Sequence, residues 1–514
     1  MFFSASMDAK QLKTSSYRRR SPERTVLYKT IADNLETFIA QREADGRGLP
    51  RHVIEEFRAY LKCGQLHYGF MRICCTSCDF EGVVAYSCKK RGFCPSCAGK
   101  RMVESAEHLT ENILPQLSYR QYVLSVPISL RYWIATNKEL TTKIHSIFKT
   151  VLMSQFEDRA KELGTFKPLA GGITFIQRAG SALQLNVHFH TLCPEGVFVE
   201  PAKTDGPVRF EQLPPPSDEQ VGTMVEKVAE RVIKLLRKRG YLKEEADEVE
   251  IPPLDESFNE HPCYRDAVAA SIRGLIAFGP NAGQKVRKIG SGFGFEGESP
   301  MIKGPKCATI HGFSLHAGTH VGKHQHDKLK MLVRYLARPP VAGTRLTESS
   351  SHPGELEYSL KQPWNDGTTA ILLSPLELLE KLAALVPPSK THQIRHFGVF
   401  GSHSQWRSKV VPKPEKRKGF APDSGYDPKK VKNTLWARML SKTFGVDVSV
   451  CPECGAEMKV VAMVHDQMQI ARYLRHIGLD AHPPPVAPPR YDQQELEFGE
   501  APTAEDGQDQ PQYD

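Results

Sequence analysis

The chain has 514 residues, 40% of them hydrophobic and 25% charged, and its 68 Lys and Arg outnumber 59 Asp and Glu for a formal net charge of +9. That length predicts about two to four domains rather than one core. No run approaches the roughly 18 apolar residues of a membrane span, and no apolar signal core follows Arg18-Arg19-Arg20, so a reducing, nucleoid-associated bacterial cytoplasm is the expected location. The 12 cysteines are then expected as thiols and metal ligands rather than disulfides. Because the last twenty or so residues are acidic, the remainder is more basic than the average suggests. A basic body favours a polyanionic partner, although a solvated basic surface has the same composition.

Residues 1–22 are polar and basic and read as a disordered tail. Apolar spacing at Val26, Leu27, Ile31, Leu35, Phe38 and Ile39 predicts a helix over 23–42. After a Gly/Pro break a second helix is predicted over 53–61, giving a small supporting hairpin. The densest cysteine region follows, with Cys63, Cys74, Cys75, Cys78, Cys88, Cys94 and Cys97. Cys75-x-x-Cys78 and Cys94-x-x-Cys97 are knuckles separated by 15 residues, a spacing that predicts one tetrahedral thiolate cage for Zn²⁺. Cys63 and Cys88 are additional thiols that can replace a knuckle cysteine or serve a second ion. Lys89, Lys90 and Arg91, with Phe70, Tyr86 and Phe93 interleaved, suit nucleic-acid contact, and a solvated basic face is the competing reading.

Strands are predicted over 121–126, 171–178, 183–192 and 197–199, with a helix over 140–163 and a turn at 179–181 that makes the second and third strands a hairpin. Alternation along 183–192 puts His188 and His190 on one face and Val187, Phe189 and Thr191 on the other. Two imidazoles about 7 Å apart along a strand can share a divalent cation. Taken alone, the tripeptide is more often a strand with a polar face.

A Pro-rich loop at 201–217 precedes helices over 221–242 and near 264–278, a Gly-rich span at 290–297 and a strand over 308–315. His311, His316, His320, His324 and His326 lead into a helix over 327–337, capped by Asp327 or its predecessor and stopped by Pro339-Pro340. Leu329, Leu332, Val333 and Leu336 form its buried stripe, and Tyr335 lies beside that stripe, able to lean over a neighbouring strand. Residues 341–400 read as a smaller β-rich segment with a helix over 375–385. Residues 406–418 are strongly basic and read either as an arm that follows phosphates or as a solvated linker; a basic amphipathic helix is predicted over 434–444. Cys451-x-x-Cys454 is a lone knuckle that His465 and His476 can complete. From 483 the chain is Pro-, Gln- and acid-rich and reads as disordered.

In this order, a Cys-rich module, a His-hydrophobic-His strand and a tyrosine helix followed by Arg-Pro-Pro, the chain resembles the HUH-type insertion-sequence transposases that move by a rolling-circle route. The resemblance spans roughly 23–470. It is carried by Cys63-Gly64 with Gly69-Phe70; Ser87-Cys88-Lys89-Lys90-Arg91-Gly92-Phe93-Cys94-Pro95-Ser96-Cys97; Val187-His188-Phe189-His190; Arg334-Tyr335-Leu336-Ala337-Arg338-Pro339-Pro340; and Asp366-Gly367-Thr368-Thr369. It implies an α+β fold. An HUH endonuclease domain over 111–340, a central antiparallel sheet with flanking helices, follows a helical and zinc-binding domain over 23–110. An accessory segment (341–405), a basic arm and helix (406–450), a CxxC segment (451–482) and an acidic tail then complete the chain. It further implies Mg²⁺ or Mn²⁺ held by His188 and His190, Tyr335 as nucleophile forming a 5′-phosphotyrosine with single-stranded DNA, and Lys89, Lys90, Arg91, Arg334 and Arg338 on the DNA. Met331 and Pro339 stand one turn before and after Tyr335, so a single tyrosine is present where some members have two. A third metal ligand is expected, with His316, His320, His324 and His326 as candidates. A replication initiator or relaxase of the same chemistry, and a non-catalytic zinc-dependent DNA-binding protein, are the alternative readings.

Overall fold

The structure is a computed structural model that describes residues 21–44, 48–199, 208–242, 260–290, 305–388, 391–412 and 451–490. The expected tail up to residue 20, most of the basic arm, the helix over 434–444, the Gly-rich span beyond 290 and the acidic tail beyond 490 lie outside the described residues. No described helix is long and apolar enough to cross a membrane.

The N-terminal module opens with α1 (Val26–Ala44) and α2 (Arg51–Lys62). Leu27, Ile31, Leu35, Phe38 and Ile39 of α1 are buried with Val53, Phe57 and Leu61 of α2, as their helical spacing requires. An antiparallel hairpin follows, β1 (Phe70–Cys75) and β2 (Glu81–Ala85), and then α3 (Pro95–Asn112). Gly69 enters the hairpin at φ +111°, and a Cβ there would lie 2.7 Å from the Tyr86 ring, so only glycine fits.

The central sheet is built around β3 (Tyr119–Ser125), β5 (Gly171–Ala179) and β6 (Leu185–Pro194). Between β3 and β5 lie α4 (Ile128–Thr136), α5 (Lys138–Glu162), which Asn137 caps by accepting from the Leu140 amide, and the short β4 (Pro168–Leu169). Pro127 ends the strand as expected and is also the N-cap of α4, a helix that the apolar spacing does not predict. Strand β6 is central, antiparallel to β3 on one side and to β5 on the other, as expected. Beyond it come β7 (Gly196–Val199), β8 (Arg209–Gln212), α6 (Asp218–Lys238), closed by a Ser217/Gln220 capping box, and α7 (Pro262–Arg273). The region read as a Pro-rich loop thus contains β8, which pairs with β7.

The second half adds β9 (Arg287–Ile289), β10 (Cys307–Ile310), β11 (Phe313–His316), β12 (His320–Val321) and α8 (His326–Leu336). Gln325, rather than Asp327 or its predecessor His326, is the N-cap of α8, and it makes no side-chain cap bond. Then follow β13 (Leu346–Glu348), β14 (Leu356–Ser359), β15 (Ala370–Leu373), α9 (Pro375–Leu385), β16 (Ile394–Gly398), the short turn α10 (Arg407–Val410), β17 (Met458–Val464) and α11 (Gln467–His476). The large sheet runs β10-β11-β3-β6-β5-β16, with β12 also on β3. Strand β16, expected in an accessory segment, therefore forms one edge of the central sheet. Strands β13, β14, β15 and β9 make a separate four-stranded sheet, and β17 joins β1 and β2.

The two faces of the large sheet have different covers. Val187 and Phe189 of β6 are buried with Phe148, Val151, Leu152 and Phe156 of α5 and with Val225 and Val228 of α6. On the opposite face Ile173, Phe175 and Leu192 are buried with Ala106 and Leu109 of α3 and with Leu329, Val333 and Leu336 of α8. Directly opposed residues of antiparallel strands share a face. His188 and His190 therefore lie on the α8 side, beside Gln177 and Phe175 of β5 and Ser125 and Val123 of β3. Val333 and Leu336 hold α8 there; truncating either would cost about 2–5 kcal/mol and would loosen the helix that carries Tyr335.

Candidate functional site

The histidine strand and the tyrosine helix meet. The rings of His188 and His190 lie 4.7 Å apart, and the Tyr335 ring stands edge-on to His190 at 6.1 Å. Gln177 fixes the end of α8 by donating from Nε2 to the carbonyls of Tyr335, at 3.2 Å, and Leu336, at 2.8 Å. Tyr335 is held at its backbone, while its side chain remains 37% exposed.

Burial keeps both imidazoles neutral. Desolvation pulls His188 down to about 4, partly offset by its hydrogen bond to the Asn186 carbonyl. Desolvation, then the charges of His188 and Arg338, pull His190 down to about 3. His188 Nδ1 donates to that Asn186 carbonyl at 2.7 Å, which leaves the Nε2 lone pair free. Nδ1 of His190 lies 2.7 Å from the side-chain amide of Gln121, and its Nε2 is buried without a hydrogen-bond partner. With the Gln121 amide turned to present its oxygen, Nδ1–H donates to it and the bare Nε2 becomes an acceptor. Two neutral imidazoles with available Nε2 atoms fit a divalent cation. Among the described residues, no third His, Cys, Asp or Glu gathers with them.

The third-ligand candidates are engaged or remote. His316 lies on the same sheet face, but Val123 of β3 separates it from His190. His320 pairs with Glu195 at 2.8 Å, and Glu195 is also bound by Arg120 inside the protein. His324 and His326 are exposed at the far end of α8.

Tyr335 also lines a cleft of about 810 Å³. Arg91, Arg101, Arg178, Arg334, Arg338, Arg345 and Lys361 contribute cations to its walls, and Tyr358 and Trp364 contribute aromatic rings. The Arg338 guanidinium lies 4.5 Å and the Lys361 ammonium 5.1 Å from the centre of the Tyr335 ring. Of the expected DNA contacts, Arg91, Arg334 and Arg338 share this cleft. Lys90 pairs instead with Glu55 at 3.7 Å, and exposed Lys89 is not part of the wall. His188 and His190 are 8% and 4% exposed and lie outside the wall, but Tyr335, Gln177 and Phe175 belong to both environments. Sequence reasoning missed Gln121, Gln177, Lys361 and Trp364. Gln121 and Gln177 are buried polar residues on β3 and β5, a feature visible only once the strands are packed.

The cysteines are divided differently from the expected cage. Cys63, Cys88, Cys94 and Cys97 form one cluster, and Cys75, Cys78, Cys451 and Cys454 form another. The hairpin is the reason. Cys75 and Cys78 lie at its tip, where Cys74 opposes Glu81, whereas Cys63 and Cys88 flank its open end beside the start of α3. Five residues of strand, about 16 Å, separate the two ends, too far for one ion. In the first cluster Sγ–Sγ distances of 3.4 to 3.7 Å match a tetrahedron with Zn–S bonds of about 2.3 Å. The Cys97 thiol is held well below its ordinary range by the neighbouring Cys63, Cys88 and Cys94 thiols. His465, a candidate partner of the C-terminal knuckle, stacks on Tyr86 at 4.7 Å instead.

The buried histidines give the fold a pH dependence. Desolvation also pulls His145 down to about 3. Unfolded imidazoles titrate near about 6.5, so on acidification the unfolded state takes up protons that the folded state refuses. With no cation on the histidine pair, the protein should lose stability as pH falls from about 6.5 towards 4, by up to about 1.4 kcal/mol per pH unit for each such histidine. Thermal unfolding from about pH 7 to pH 5 measures this; His145→Phe should flatten the slope, and a slope unchanged in that variant would contradict the assignment.

Two family models match. Residues 30–126 match one described as "Transposase zinc-binding domain", of the IS91 type, and residues 171–408 match one described as "Putative transposase". No curated protein and no solved structure matches the chain. The first match spans the open-end cysteine cluster, and the second spans the histidine strand, the Tyr335 helix and much of the cleft wall. Both matches are to transposase models, so the chain is similar, over 30–126 and 171–408, to insertion-sequence transposases that carry an N-terminal zinc-binding domain.

Proposed function

We propose that this transposase nicks and rejoins single-stranded DNA through a covalent link to Tyr335, mobilising its element by a rolling-circle route. The observation that carries the reading is that Tyr335, on the wall of a cationic cleft, also stands edge-on to buried His190. Cations along a groove follow phosphates, and the exposed Tyr335 ring and half-buried Trp364 offer faces to unpaired bases, a combination suited to a single strand. His188 and His190 would hold Mn²⁺ or Mg²⁺ through their Nε2 atoms, and a cation bound there would polarise the scissile phosphate. Two imidazoles without a carboxylate are a softer donor set than Mg²⁺ prefers, which favours Mn²⁺.

The residues then divide the work. The Tyr335 oxygen attacks phosphorus in line, a P–O bond to tyrosine forms, and the P–O3′ bond breaks. The phenolic proton leaves to solvent, and the departing 3′ oxygen takes one up to become a hydroxyl. The phosphodiester is exchanged rather than hydrolysed, so the reverse attack by a 3′-hydroxyl rejoins DNA without ATP. Arg338 and Lys361 place positive charge where the phosphate collects negative charge. Gln177 keeps the tyrosine backbone in register with the histidine strand, and Gln121 orients His190.

End-labelled oligonucleotides test the reading. The protein with Mn²⁺ should nick single strands and leave the matched duplex intact, with slower cleavage in Mg²⁺. Equal cleavage of duplex, or binding without any cleavage in either metal, would instead favour a different strand chemistry or a DNA-binding role alone.

A further inference from the structure

We propose that Cys75, Cys78, Cys451 and Cys454 form a second zinc site that clasps the C-terminal segment onto the N-terminal zinc domain. The four sulfurs lie together, with Cys75 and Cys454 at 3.4 Å and Cys78 and Cys451 at 3.6 Å. The Ser77 amide donates to the Cys75 sulfur at 3.3 Å, the N–H···S contact expected of a metal knuckle. Neither family match reaches the C-terminal half of this cage: the zinc-domain match ends at 126 and the transposase match at 408.

The surrounding structure closes the same way. Strand β17 pairs with β1 from Phe70↔Val464 to Cys75↔Met458, and the Thr76 amide and hydroxyl both donate to the Glu457 carbonyl. Further on, the Ala487 amide donates to the Ala32 carbonyl, and the Arg490 amide donates to Thr37 Oγ1 on α1. The apolar cores beneath are small. Ile73, Val84, Cys451 and Met458 make one; Leu66, Phe70, Val464, Ile470 and Leu474 make the other. A module with so little buried apolar surface depends on a metal for its fold. The Cys78–Cys451 contact spans 373 positions, so the site forms only when both ends of the chain are present. The lone C-terminal knuckle is half of a cage whose other half is the knuckle at the hairpin tip.

Metal counting on the full-length protein tests this. Elemental analysis should find two zinc ions per chain. The Cys451→Ser/Cys454→Ser pair should retain one, and the Cys63→Ser/Cys94→Ser pair should lose the other. In the C-terminal pair, amide exchange should rise selectively over 70–75 and 458–464, with the histidine strand unchanged. On unaltered protein, a chelator should remove the two ions in separate phases, with β17 exposed at the phase that empties the second site; this arm needs no variant to fold. One zinc per chain in unaltered protein would overturn the clasp. So would two zinc ions in the C-terminal pair, or a non-reducing mass showing Cys75–Cys454 and Cys78–Cys451 as disulfides.

Discussion

Tyr335→Phe should abolish nicking of single-stranded DNA while leaving DNA binding and stability near those of the unaltered protein. The substitution removes one oxygen. It leaves the ring against His190, between Arg338 and Lys361, and it leaves the two hydrogen bonds from Gln177, which go to backbone carbonyls. The buried stripe of α8 is untouched. Stability should therefore change by no more than about 0.5 kcal/mol. Cleavage should fall on the order of a thousandfold or more, because a lost nucleophile leaves only the catalysis that positioning and electrostatics supply. No second tyrosine can substitute from the same helix face, since Met331 and Pro339 occupy the positions one turn away. A Phe variant that nicks at the original rate would remove Tyr335 from the chemistry.

The second large effect is expected at His190. His190→Ala removes a buried Nε2 that has no other partner, and it leaves the Gln121 amide facing a cavity. The stability cost of the orphaned amide is about 1–3 kcal/mol. Cleavage should fall on the order of a hundredfold or more, and raised Mn²⁺ should recover part of it, since His188 remains as a ligand. Gln121→Leu separates orientation from ligation: its activity should be reduced but recovered by metal more fully than that of His190→Ala. Undiminished, metal-dependent nicking by His190→Ala would mean that the cation is held elsewhere.

Much of this site was legible in the sequence because it is local. Period-two alternation fixed the face of His188 and His190, and the leucine and valine stripe fixed where Tyr335 projects from its helix. What brings the two together is not local. The turn at 179–181 predicts the β5–β6 hairpin, but nothing near Ile394 predicts that 394–398 crosses the chain to close the sheet edge beside β5. The cages show the same limit. CxxC spacing identifies knuckles, yet which knuckles share an ion depends on the hairpin that separates them and on β17, hundreds of residues away. Cys63 and Cys88, with no nearby partner in a CxxC, are ligand-positioned only once β1 and β2 are paired. Gln121 and Gln177 were overlooked because glutamine on a strand carries no motif; their meaning comes from being buried beside the histidines.

The central claim is that Tyr335 becomes covalently attached to DNA, and intact-mass measurement tests it most directly. The full-length protein is incubated with a single-stranded oligonucleotide carrying an element end and Mn²⁺, quenched, weighed and digested. The account predicts a mass increase equal to the fragment 3′ of the nick, carried on the peptide containing Arg334-Tyr335-Leu336 and absent from Tyr335→Phe. Nicked DNA with no protein adduct, or an adduct mapping to another residue, would contradict it.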